Sequence, residues 1–94
     1  MEIIEIIWLD EVVDKLEEKH HVVQQEVEEV FSGKPEIKKM QKGHFRGEDV
    51  YRASGKTRAG RYLVVFFIHK RTGGALILSA RDMDRKERRS YASK

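Results

Sequence analysis

The sequence predicts an α+β protein in which an N-terminal strand and a helix hairpin pack on a mainly antiparallel sheet of four to five strands, followed by a C-terminal helix. Three observations predict it. Apolar residues change from a dense β-branched run to helical spacing after Trp8, turn residues then punctuate the second half at short intervals, and helical spacing returns near the C-terminus. A chain of 94 residues has room for one modest core, so residues 1–94 are expected to form a single domain.

Ile3, Ile4, Ile6, Ile7 and Trp8 read as a strand that ends at Asp10, a candidate helix N-cap. Leu9, Val12, Val13, Leu16 and His20 then recur at helical spacing. Asp10, Glu11 and Asp14 sit in the first turn, where the helix dipole favours negative charge. Val23, Val27, Val30 and Phe31 fall at i, i+4, i+7 and i+8, predicting a second helix stopped by Gly33 and Pro35. Four strands are expected over 36–42, 50–54, 61–69 and 75–80, joined by turns at 42–47, 55–60 and 70–74 in a meander. Gly43, Gly47, Gly55, Gly60, Gly73 and Gly74 are assigned to those turns, where positive φ is needed. In the strand over 61–69, Tyr62, Val64 and Phe66 share one face and Leu63, Val65 and Phe67 the other. A strand apolar on both sides should be central. Asp82 is expected to start the last helix, over 83–91, with Met83, Glu87 and Tyr91 on one face and Arg85, Arg88 and Arg89 on the others.

Charge divides the chain in two. Residues 1–36 carry 11 acidic and 3 basic side chains, whereas residues 37–94 carry 5 acidic and 16 basic ones, a split that the net charge of +3 hides. A basic body of this kind is the electrostatic footprint of a protein that handles a polyanion, RNA or DNA. The acidic front end is not the nucleic-acid face. Arg52, Arg61 and Arg81 lie in or beside strands, where a planar guanidinium is well placed to grip a phosphate. They are equally placed to pair with the acidic helices of the same chain.

Other chemistries find little support. The longest apolar run is too short for a membrane span, and Glu2 and Glu5 stand where a signal peptide would carry positive charge, so a cytoplasmic location is expected. Without cysteine there is neither a disulfide nor a thiolate metal site, and so small a chain is expected to lean on a partner or on its own copy. His20 and His21 would point about 100° apart on a helix, a poor arrangement for one shared ion. No cofactor is expected, because the glycines belong to turns and no phosphate loop is present.

The run Gly47-Glu48-Asp49-Val50-Tyr51-Arg52-Ala53-Ser54-Gly55, followed by Ala59-Gly60-Arg61-Tyr62-Leu63-Val64-Val65-Phe66, resembles the BrnT family of RelE-like toxins. So does Ile77-Leu78-Ser79-Ala80-Arg81-Asp82-Met83 leading to Glu87-Arg88-Arg89-Ser90-Tyr91, and upstream Trp8-Leu9-Asp10, Lys19-His20 and Glu29-Val30-Phe31 agree in order and spacing. The resemblance implies a metal-independent ribonuclease that arrests growth until a ribbon-helix-helix antitoxin neutralises it. Its partners would be RNA and that antitoxin, alone or in a larger assembly.

Such chemistry needs a base for the ribose 2′-hydroxyl, a cation for the charge growing on phosphorus and an acid for the leaving 5′-oxygen. The resemblance points to Arg81 as phosphate clamp and Glu48 as candidate base, with Arg61, Arg52 and Tyr91 completing the set. Glu48 pairing with an arginine, and Tyr91 docking the last helix, are the structural alternatives. Two positions depart from the family pattern. Val50 and Leu76 stand where basic residues are common, and this loss of cations raises the alternative of a non-catalytic interaction module. His21 also replaces the usual Gly at the expected end of the first helix.

Overall fold

The computed structural model describes residues 1–41 and 48–93. The elements run β1 (Glu5–Ile7), α1 (Asp10–His20), α2 (Gln24–Ser32), β2 (Glu36–Gln41), β3 (Val50–Lys56), β4 (Tyr62–His69), β5 (Gly74–Asp82) and α3 (Arg85–Ala92). The expected element order and α+β class are those observed. The strands form one five-stranded sheet in the order β1-β5-β4-β3-β2. Strands β2 to β5 make the antiparallel meander, but β1 lies parallel to β5, with Ile6 opposite Ala75, so the sheet is mixed. The expected turn over 42–47, with Gly43 and Gly47, lies outside the described residues.

Strand alternation gives the sheet two unlike faces. Ala53, Leu63, Val65, Phe67, Ile77 and Ala80 point to one side and are buried under Leu16, Val27 and Val30 of the helix hairpin, with Val22 from its corner. Phe67 anchors this layer, with Phe31 edge-on at 5.1 Å and Tyr51 stacked at 5.8 Å. β4 is the middle strand, as its two apolar faces require. The opposite face carries Arg52, Ser54, Tyr62, Phe66 and Arg81 and is partly covered by α3, which has no buried residue of its own.

Several local expectations are corrected. The N-cap of α1 is Leu9, and no side chain caps it. Asp82 does not start the last helix. β5 runs on through it because the Met83 N–H bonds the Tyr62 carbonyl at 3.0 Å, and the capping residue is Asp84. Of the described turn glycines only Gly60 and Gly73 have positive φ, whereas Gly55 and Gly74 lie inside strands. Gly55 is small for a packing reason, since a Cβ there would come within 2.9 Å of Val30 Cγ1. α1 ends on a left-handed residue that is not glycine: His21 has φ 53° and ψ 38°, and the Val22 N–H bonds the Leu16 carbonyl at 3.1 Å.

Candidate functional site

On the face away from the hairpin, two strands and one helix bring charged groups together. In the sheet register Arg52 lies opposite Phe66, and Arg81 opposite Val64, so the two arginines occupy neighbouring rows of the same face with β4 between them. Both turn to Glu87 of α3. Arg81 donates from Nη1 and Nη2 to Oε1 and Oε2 at 2.7 and 3.0 Å, and Arg52 Nη1 lies 3.7 Å from Oε2.

Local sequence fixes Glu87 at this spot. Asp84 accepts from the Glu87 N–H at 2.7 Å, and Glu87 accepts from the Asp84 N–H at 2.9 Å, a capping box that starts the helix. The bonds from Arg81, then that from Asp84, hold the Glu87 carboxyl down at about 2 from an ordinary 4.5. Arg81 is raised in turn by its bonds to Glu87. The Glu87 side chain is only 17% exposed, whereas that of Arg81 is 37% exposed, so the carboxylate is the better shielded of the two.

One turn beyond Glu87, Tyr91 meets Tyr62 edge-on at 6.0 Å. With Arg52, Ser54, Glu87 and Ser90 it lines a cleft of about 320 Å³. The Arg52 Nε is buried and has no hydrogen-bond partner among the described residues. Chemically, the two oxygens that Glu87 offers to Arg81 stand where two non-bridging oxygens of a phosphodiester would bind the same fork.

Arg81, Arg52 and Tyr91 are thus brought together, and Arg61 and Glu48 are not. Arg61 works on the other side of the sheet. Its Nε and Nη2 donate to Asp82 at 2.7 and 3.1 Å, its Nη1 to the His21 carbonyl at 2.7 Å and to Glu26 at 3.2 Å, and its Nη2 to the His20 carbonyl at 2.9 Å. Glu48 is exposed just before β3, roughly 13 Å along the chain from Arg52 at strand spacing. Val50 and Leu76 flank Ile68 in one row across the sheet, an apolar row beside that of Arg52. Sequence reasoning placed Glu87 on a helix face but missed its role. The Asp84-to-Glu87 spacing of a capping box was the available signal.

The fold and site together define a small α+β protein in which Arg81 and Arg52 converge on one carboxylate that lines a cleft. Residues 8–87 match the family described as ribonuclease toxin, BrnT, of type II toxin-antitoxin systems, and the chain belongs to that family. Membership implies an RNA substrate and an antitoxin partner. Among solved structures the chain is similar to the 1.1 Å crystal structure of the Brucella abortus ribonuclease toxin BrnT, with a TM-score of 0.63 and 18% identity. The likeness covers 87% of this chain and 99% of that one and is one of fold. No curated protein matches the sequence.

Proposed function

We propose that this toxin cuts RNA by attack of a ribose 2′-hydroxyl on the adjacent phosphate, without a metal ion, and that a ribbon-helix-helix antitoxin neutralises it in the cytoplasm. The observation that carries the site assignment is the convergence of Arg81 and Arg52 on one carboxylate. A scissile phosphate entering the cleft takes the place of Glu87 on Arg81, and the two guanidiniums then stabilise the charge growing on phosphorus. Tyr91 supplies the proton to the leaving 5′-oxygen. Released from Arg81, the Glu87 carboxylate returns toward its ordinary pKa and gains basicity, which makes it a nearer candidate base than Glu48. In this reading Arg61 holds the helix hairpin to the sheet and takes no part in the reaction.

Inducing the chain alone in bacteria and following growth and RNA integrity tests the proposal. Wild type is expected to arrest growth and cut RNA with EDTA present, and Arg81→Ala to lower cleavage on the order of 100- to 1,000-fold with the fold intact. The apolar row Val50–Ile68–Leu76 beside the cleft favours a second reading, an interaction module without nuclease activity. A wild-type chain that neither slows growth nor cuts RNA would establish that second reading in place of the first.

A further inference from the structure

α3 separates two different surfaces. Its inner side carries Glu87 and Tyr91, while Arg85, Arg88, Arg89 and Ala92 fall at i, i+3, i+4 and i+7 and form one outer stripe. With Tyr62 and Met83 this stripe lines a second depression of about 450 Å³. The charge balance of the two sides differs. Arg61 pairs with Glu26 and Asp82, and Arg52 and Arg81 share Glu87, whereas Arg85, Arg88 and Arg89 are exposed and have no carboxylate within ion-pair distance among the described residues. What steadies Arg88 is an aromatic ring: its guanidinium lies 4.5 Å from the centre of Tyr62, and Lys56 Nζ lies 5.5 Å from the same centre.

Three like charges within two turns oppose helix formation, and among the described residues no carboxylate on this side of the helix balances them. We infer that the outer stripe of α3 is a binding tract for the sugar-phosphate backbone of single-stranded RNA, and that it supplies most of the affinity. Arg81 and Arg52 share the one negative charge of Glu87, so Arg81 exchanges one anion for another when a phosphate arrives and the two together offer less net attraction than three arginines without a carboxylate. The stripe gives up no carboxylate, so each phosphate it meets adds net attraction, and counterion release makes that gain depend on salt. The tract and the cleft lie on opposite sides of one helix, about 10 Å apart, so one strand can engage both. The inference rests on the ribonuclease reading only for the identity of the polyanion.

The test measures binding of a fluorescent 2′-O-methyl oligoribonucleotide, which has no free 2′-hydroxyl and cannot be cleaved, across a range of salt concentrations. The combined variant Arg85→Ala, Arg88→Ala, Arg89→Ala is expected to bind about ten-fold or more weakly than wild type. Its slope of log affinity against log salt should be shallower by about 2, since each single-strand phosphate contact contributes about 0.7. Arg81→Ala should change affinity and slope far less. The combined Arg→Lys variant keeps the charge and should keep the slope, which separates loss of charge from loss of fold. A triple-alanine variant with wild-type affinity and slope overturns the inference. So does one that binds RNA normally but no longer binds the cognate antitoxin, because the stripe would then belong to the protein partner. Wild-type binding by a chain that cleaves no RNA would sink the ribonuclease reading and leave the tract standing.

Discussion

Arg81 and Asp82 are consecutive residues of β5 and serve opposite sides of the sheet. Arg81 pairs with Glu87 of α3, and Asp82 pairs with Arg61, which reaches the carbonyls at the end of α1. Strand alternation thereby separates the candidate chemistry from the attachment of the helix hairpin. Substitutions one position apart should have different consequences.

Arg61→Ala removes the donor to two carboxylates and two carbonyls and is expected to cost about 2 kcal/mol, the scale of hydrogen bonds to charged groups. Arg61→Lys should recover little, because an ammonium cannot reproduce the planar fork. Urea denaturation of the two variants beside Arg81→Ala checks this. A loss in Arg61→Ala no larger than in Arg81→Ala would show that the network does not hold the hairpin.

Acid should undock α3. The Glu87 carboxyl is lowered from 4.5 to about 2 by the folded structure, so its stabilising contribution is complete above the ordinary value and disappears as pH falls from about 4.5 toward 2. Asp82, lowered by its bonds from Arg61, adds a contribution of the same sign on the other face. The ring-current shift between Tyr91 and Tyr62, followed by NMR, should collapse over that window in wild type and lose its pH dependence in Glu87→Gln. An unchanged transition in the variant would assign it to another group.

His21→Gly should stabilise the protein by about 0.5–1 kcal/mol. A left-handed conformation strains an L side chain by more than the extra flexibility of glycine costs in the unfolded chain, and the His21 carbonyl that accepts from Arg61 is retained. A lower melting temperature would mean that the imidazole makes a contribution larger than the strain.

Phe67→Ala should cost about 3–5 kcal/mol, because the ring is fully buried between Phe31 and Tyr51. Phe66, its neighbour, lies half-buried on the α3 face with the Arg81 guanidinium 5.7 Å from the ring centre, and its loss should cost markedly less. Equal losses would show that α3 seals its face of the sheet as completely as the hairpin does.

Much of this architecture is legible in the residue pattern, because period and turn chemistry are local. The two apolar faces of 62–68 require a central strand, and the stripe from Val23 to Phe31 requires a helix covering it. Partner choice is less local. β1 has three residues, too few for alternation to reveal a neighbour, and its pairing with β5 joins segments about 70 residues apart. The start of α3 turned on two aspartates: Arg61 takes Asp82 for the sheet, and Glu87 completes the cap at Asp84. The same arginines made the site ambiguous. Arg61 and Arg81 have the same side chain and both lie beside strand ends, and only the folded contacts show that one reaches the hairpin and the other Glu87 of α3.

The parallel pairing of β1 with β5 also bears on how the protein is made. The N-terminal edge of the sheet cannot be laid down until residues 74–76 emerge, and Arg61 cannot be locked until Asp82 follows. Hairpins such as β3–β4 can close as they leave the ribosome, but the long-range closure that completes the core must wait for β5. Until residues 81–92 have emerged, a nascent copy has neither the Arg81–Glu87 pair nor the helix that carries Glu87.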